Sequence, residues 1–213
     1  MIIQLEGVDG AGKSYLATHL LNTWRDISPA HEALLVHTGP PGIWDDDDMS
    51  LADWRKYCFL RLKAVIDMVE AHDARRLLVM DRGSWGSPVY GQLFRPDVNE
   101  DGFGDLGKKY FTLLEKLIYA KGGITAHISP PLETVLVRTL GRAEGEDEFL
   151  DQQIGSREKQ ITDIYNGYYS FIHDNIDILD SYAGSGVFTS SKLISKLPGY
   201  EGFTADKTGI TNG

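Results

Sequence analysis

The chain has 213 residues, a net charge of −10, 42% hydrophobic and 24% charged residues, and a single cysteine. That length and mix suit one domain with a full core, and the acidic balance argues against a broad nucleic-acid-binding face, which carries a basic stripe. Cys58 has no intrachain disulfide partner, no apolar run reaches membrane-spanning length, and no leader pattern precedes the first strand, so a soluble cytoplasmic protein with no membrane partner is expected.

The first predicted strand, Ile2-Ile3-Gln4-Leu5-Glu6, runs straight into Gly7-Val8-Asp9-Gly10-Ala11-Gly12-Lys13-Ser14. This is G-x-x-x-x-G-K-S between a strand and a helical pattern, the setting in which the motif is a phosphate-binding loop. Its glycines let backbone N–H groups turn inward around phosphate oxygens. The helix beginning near Lys13 adds its positive dipole end to the same anion site. Lys13 supplies a point charge for the outer phosphates, and the Ser14 hydroxyl is a hard oxygen ligand suited to Mg²⁺. A nucleoside triphosphate is the expected ligand.

Leu16, Ala17, Leu20, Leu21 and Trp24 then recur at helical spacing up to Ser28-Pro29. Ala33–His37 is the second strand, stopped by Thr38-Gly39-Pro40-Pro41-Gly42, which is either a stiff wall beside a ligand or a plain surface turn. Asp45 to Asp48 read as a solvated loop rather than a metal site, with Asp48 and Ser50 as helix caps. From Leu51 to Ala71 apolar residues spread widely round a helix, which predicts burial on more than one side, with Arg61 among them.

Leu77-Leu78-Val79-Met80-Asp81 reads as a fully buried strand ending in a carboxylate, placed to hold Mg²⁺ or a metal-bound water. Arg82 follows at once and Tyr90 comes eight residues later. Arg95 to Gly107 is predicted as a mobile loop, followed by a helix with Leu106, Tyr110, Leu113, Leu114, Leu117 and Ile118 on one face. Ile124–Ile128 is the fourth strand, and Pro130-Pro131 opens a helix carrying Val135, Leu136 and Leu140. Arg138 and Arg142, four residues apart, share a helix face able to straddle a transferring phosphoryl group, or else form a solvated helix end. Ile161 to Ile172 marks the last amphipathic helix, and Ile176–Leu179 the fifth strand. Alternating strands and helices predict an α/β domain over residues 1–183, with a five-stranded parallel sheet covered on both faces and a lid near 138–150. Residues 184–213 are expected to form a partly disordered extension.

The loop Glu6–Ser14 resembles the opening of thymidylate kinases, which reads E-G-x-D-G-x-G-K-T/S. Asp81-Arg82 with Tyr90 is similar to that family's D-R-Y-x-x-S-x-x-A-Y segment, and Ile128–Glu133, Arg138, Arg142, Asp147 and Tyr165 are similar to its strand, lid and last helix. The resemblance, over roughly residues 1–180, implies the nucleoside monophosphate kinase fold, with ATP and Mg²⁺ as cosubstrates. It implies that Gly7, Asp9, Gly10, Ala11, Gly12, Lys13 and Ser14 hold the donor, with Arg138 and Arg142 closing over it. Asp9 would face the acceptor's sugar hydroxyl and Arg82 its phosphate. Arg61, Tyr90, Gly39 and Pro40 would line its pocket, and Ser14 and Asp81 would hold the metal. Related kinases are often dimers, so a homodimer is the matching expectation.

The chain departs from the family on the acceptor side. Thr38–Gly42 replaces R-E-P-G-G, Gly83 stands for a common tyrosine, Gly86 for a serine, and His127 for an aspartate. These departures mark a divergent member of viral style. A phosphate acceptor is already ionised and needs no general base, whereas a hydroxyl benefits from a carboxylate. The related deoxynucleoside kinases place a glutamate after the second strand, and this chain has none there, although Glu6, Asp9 or Asp45 to Asp48 remain available. The expectation is phosphorylation of a deoxynucleoside monophosphate, dTMP or a modified pyrimidine relative. The alternative is a hydroxyl acceptor, on a deoxynucleoside or on a hydroxymethylated base in DNA, and a nucleotide-dependent switch comes third.

Overall fold

The computed structural model describes residues 1–37, 51–83, 85–86, 89, 103–143, 151–174, 186–187, 190–198 and 200. Four strands of four or five residues, β1 (Ile2–Glu6), β2 (Ala33–His37), β3 (Leu77–Asp81) and β4 (Ile124–His127), form the body of a parallel sheet. A two-residue strand, β5 (Gly186–Val187), extends it beside β4, giving the order β2-β3-β1-β4-β5. The fifth strand expected at Ile176–Leu179 lies outside the described residues.

The helices are α1 (Lys13–Ile27), α2 (Leu51–Glu70), α3 (Phe103–Ala120), α4 (Leu132–Ala143), α5 (Asp151–Asp174) and α6 (Ser190–Ile194). Strand alternation divides the core between them. Ile3, Leu5, Leu77 and Val79 pack with Leu16, Leu20 and Trp24 of α1, Ile161 and Ile164 of α5, and Leu193 and Ile194 of α6. Ile2, Leu78 and Met80 face the other way, onto Val65 and Val69 of α2 and Leu114 and Ile118 of α3. Central β1 and β3 are buried throughout, β3 as an apolar run up to Asp81 and β1 with Gln4 and Glu6 buried among its apolar residues. At the edge, β2 leaves Leu34 and Leu35 exposed.

Three expectations need correction. Helix α2, expected to be buried on more than one side, has full burial on one side only among its described side chains. Phe59 and Leu60 are exposed, while Val65 and Val69 are buried on the side facing the sheet. The loop expected up to Gly107 gives way to α3 at Phe103, and on that helix Leu113 is exposed whereas Leu114, Glu115 and Ile118 turn inward. Part of the stretch assigned to an extension is built into the domain. Leu193, Ile194 and Leu197 are core residues, and burying each such side chain contributes about 1.5–3 kcal/mol.

Candidate active site

The chain leaves β1 into a tight loop in which Gly7, Gly10 and Gly12 all have positive φ (140°, 83° and 96°). Two of these positions also have no room for a side chain. A Cβ on Gly7 would stand 2.5 Å from the Ile128 carbonyl oxygen, and one on Gly10 would stand 2.3 Å from Thr139 Oγ1. The loop therefore lies against the end of β4 and against α4, which holds it further. Thr139 Oγ1 donates to the Asp9 carbonyl (3.3 Å), and Arg138 Nη1 donates to the Gly10 carbonyl (3.4 Å). Gly12 caps α1, and Lys13 and Ser14 form its first turn.

Lys13 is folded back into the loop. Its Nζ donates to the carbonyls of Gly7 (2.7 Å) and Val8 (2.9 Å) and lies 3.9 Å from Asp9 Oδ1. Burial pulls its ammonium pKa below the usual lysine value, and the Asp9 carboxylate partly offsets that. A phosphate chain in the loop would supply the missing negative charge.

Parallel pairing of β2 and β3 sets His37 beside Asp81, and the pairing of β1 with β3 sets Leu5 on its other side. Asp81 is buried at the carboxyl edge of the sheet. Its Oδ2 accepts from Ser14 Oγ (2.7 Å) and stands 3.3 Å from His37 Nδ1. Its Oδ1 has no hydrogen-bond partner among the described residues. An under-bonded buried carboxylate costs about 1–3 kcal/mol, and together with the serine hydroxyl it fits a hard cation. Asp9, Gly10, Gly12, Lys13, Ser14, Tyr15, His37, Asp81 and Arg82 surround one cavity of about 160 Å³.

Arg82 is the one non-glycine residue with positive φ (69°) among the described residues, a conformation costing about 1–2 kcal/mol. Its N–H donates to the Leu5 carbonyl (3.0 Å), continuing the β1–β3 ladder, and this left-handed turn brings its guanidinium to the Asp9 carboxylate. The two acceptor-side residues predicted on either side of the loop are thus in direct contact.

Of the other expected site residues, Arg61 lies half-buried on α2, away from the cavity lining. Arg138 reaches the loop from α4 and is exposed, and Arg142 sits one turn further along α4. Gly39, Pro40, Asp45 to Asp48, Tyr90 and Asp147 lie outside the described residues.

Beneath the loop is a polar cluster that motif reading misses. Glu115 accepts from Gln4 Nε2 (2.9 Å), Trp85 Nε1 (2.8 Å) and Thr125 Oγ1 (2.8 Å). Glu6 accepts from the Trp85 backbone N–H (2.8 Å) and from the Tyr168 hydroxyl (3.3 Å). It is fully buried, and that burial pushes its carboxyl up to about 7 despite the Trp85 N–H. Burial likewise pulls His127 down to about 4, where its ring stacks on Tyr168 at 5.5 Å. Glu6 is thereby sealed off from the cavity. The available signal was the alternation in β1, where Gln4 and Glu6 share one face of a strand whose other face is Ile3 and Leu5.

No family model and no curated protein matches the sequence. Among solved structures, the chain is similar to deoxyadenosine kinase from M. mycoides with the products dCMP and dCDP bound, at 14% identity and a TM-score of 0.45, over 92% of this chain and 93% of that one. It is similar to shikimate kinase from Acinetobacter baumannii in complex with shikimate at the same identity and TM-score, over 92% and 89%. The M. mycoides enzyme with bound dCTP matches at 17% identity and a TM-score of 0.43, over 90% and 91%. Likenesses this distant assign no activity to the chain.

Proposed function

We propose that the protein is an ATP-dependent phosphotransferase that converts a deoxynucleoside monophosphate, dTMP or a modified pyrimidine relative, to its diphosphate. The observation that carries the donor half is the convergence of Lys13, Ser14 and Asp81 on one cavity at the amino end of α1. In this reading Lys13 exchanges the Gly7 and Val8 carbonyls for phosphate oxygens, and the loop N–H groups hold the rest of the chain. Ser14 and Asp81 would hold Mg²⁺, which neutralises charge on the donor phosphates. Arg138, which donates to the Gly10 carbonyl from α4, would stabilise charge on the transferring group, and Arg142 lies one turn further along the same helix.

The acceptor half rests on Asp9 and Arg82. Arg82 swings its guanidinium from Asp9 to the incoming phosphate, and Asp9 turns to the sugar hydroxyl. An acceptor phosphate oxygen attacks the terminal phosphorus, the bond to the bridging oxygen breaks, and ADP leaves with that electron pair. No side chain has to remove a proton. The burial of Glu6, whose carboxylate has both oxygens engaged, removes one of the bases that a hydroxyl acceptor would need, and this reading assigns Asp9, the carboxylate at the cavity, to the sugar hydroxyl.

Incubation of the protein with ATP, Mg²⁺ and a panel of nucleosides, monophosphates and hydroxymethylated DNA, scored by ADP release and labelled product, tests the reading. Deoxynucleoside monophosphates are expected to turn over. Product formed only from nucleosides or DNA would overturn the acceptor assignment; ADP release that is unchanged by any acceptor would overturn the acceptor half, and no ADP release under any condition would overturn the donor half. Arg82→Ala should weaken monophosphate binding far more than nucleoside binding.

A further inference from the structure

We propose that His37 is a third protein ligand of the divalent cation at the donor phosphates, so that the site prefers Mn²⁺ or Co²⁺ to Mg²⁺. This rests on the donor-site reading above. Three donor atoms meet at the carboxyl edge of the sheet, with Ser14 Oγ 2.7 Å and His37 Nδ1 3.3 Å from the same oxygen of Asp81. In an octahedral site with bonds of about 2.1 Å, neighbouring ligands stand about 3.0 Å apart. The two separations bracket that edge, so a cation can take the place of these two hydrogen bonds with shifts of a few tenths of an ångström.

The imidazole is not there to fill a core. Its side chain is 62% exposed, whereas that of Asp81 is 5% exposed. Among the described residues the ring has one hydrogen-bond partner, Asp81. The carboxylate has an oxygen with none, which leaves net negative charge for a cation. Strand register supplies the third ligand, because His37 and Asp81 are paired residues on neighbouring parallel strands. An imidazole nitrogen changes the chemistry of the site. Mg²⁺ favours oxygen ligands and retains its waters, whereas Mn²⁺ and Co²⁺ accept nitrogen and rise in affinity along the first transition row.

The test uses Mn²⁺ with inorganic tripolyphosphate, a donor mimic that contains no nitrogen. Pulsed electron paramagnetic resonance of the full chain should show the ¹⁴N coupling of a directly bound imidazole. The coupling should vanish in His37→Ala and in His37→Gln, the latter retaining a hydrogen-bond donor for Asp81. Calorimetry should show the ratio of Mn²⁺ to Mg²⁺ affinity in the presence of tripolyphosphate falling about tenfold in both variants. Tripolyphosphate and Mn²⁺ binding to the wild type without directly coordinated nitrogen would overturn the proposal and leave the donor site standing. Failure of tripolyphosphate to bind with any cation would overturn the donor site, and this proposal with it.

Discussion

Two polar clusters flank the end of β1, and they are built in opposite ways. At the rim, Asp9, Ser14, His37, Asp81 and Arg82 face the cavity, and a buried oxygen of Asp81 has no hydrogen-bond partner among the described residues. Beneath them, Glu115 and Glu6 close on the donors of Gln4, Trp85, Thr125 and Tyr168. Both clusters hold buried carboxylates. What separates a ligand site from a structural brace here is whether the groups are already satisfied.

The largest effect should come from breaking the brace. Glu115→Ala removes the buried acceptor that Gln4, Trp85 and Thr125 share, and should cost about 3–5 kcal/mol in denaturant unfolding. A cost under 1 kcal/mol would mean that water replaces the carboxylate and that the cluster braces nothing.

The rim should respond in the other sense. Lys13→Ala should lower phosphoryl transfer by about 10²–10³-fold while leaving the unfolding midpoint near that of the wild type. Retained turnover would remove Lys13 from the donor site. A collapse of stability would make the rim structural as well, and so erase the contrast.

The smallest effect is a pH dependence hidden in the wild type. Glu6 rises from an ordinary 4.5 to about 7 in the folded protein, so the native state holds a proton that the unfolded chain has lost, and stability falls as pH rises across that range. His127 falls from 6.5 to about 4, so the unfolded chain binds the proton first, and stability is lost as pH falls. Between pH 4.5 and 6.5 the two slopes, each about 1.4 kcal/mol per pH unit, oppose one another. Denaturant midpoints should reveal a rising slope in Glu6→Gln and a falling slope in His127→Phe. Identical profiles in both variants and the wild type would show that neither group titrates in this window.

The rim was largely legible in the sequence because its chemistry sits in contiguous motifs. Gly7 to Ser14 and Asp81-Arg82 each contain their own geometric requirement, and the Ser14–Asp81 contact joins them as expected. His37 was read only as the end of a strand, since its relation to Asp81 exists through pairing and not through spacing. The brace was illegible because its members, at positions 4, 6, 85, 115 and 125, come together only in three dimensions. It also explains a departure that sequence comparison left bare. A Cβ on Gly83 would stand 2.1 Å from Gln4 Cδ, so the glycine at that position makes room for the brace. Leu113, expected on the buried face of α3, is exposed, and Glu115, which the sequence reading leaves unplaced, is buried instead. The brace draws the carboxylate inward and rotates the leucine out.

The packing of Leu193, Ile194 and Leu197 against the α1 side of the sheet has a consequence for biosynthesis. The helix that carries Lys13 and Ser14 leaves the ribosome well before residue 197, yet the apolar surface that backs it is completed only once that residue has emerged. Until then the nascent chain exposes part of that surface, the condition under which chaperones bind and incomplete chains aggregate. A polypeptide stalled before that point would contain every residue of the candidate phosphate site and lack the packing that holds them in place.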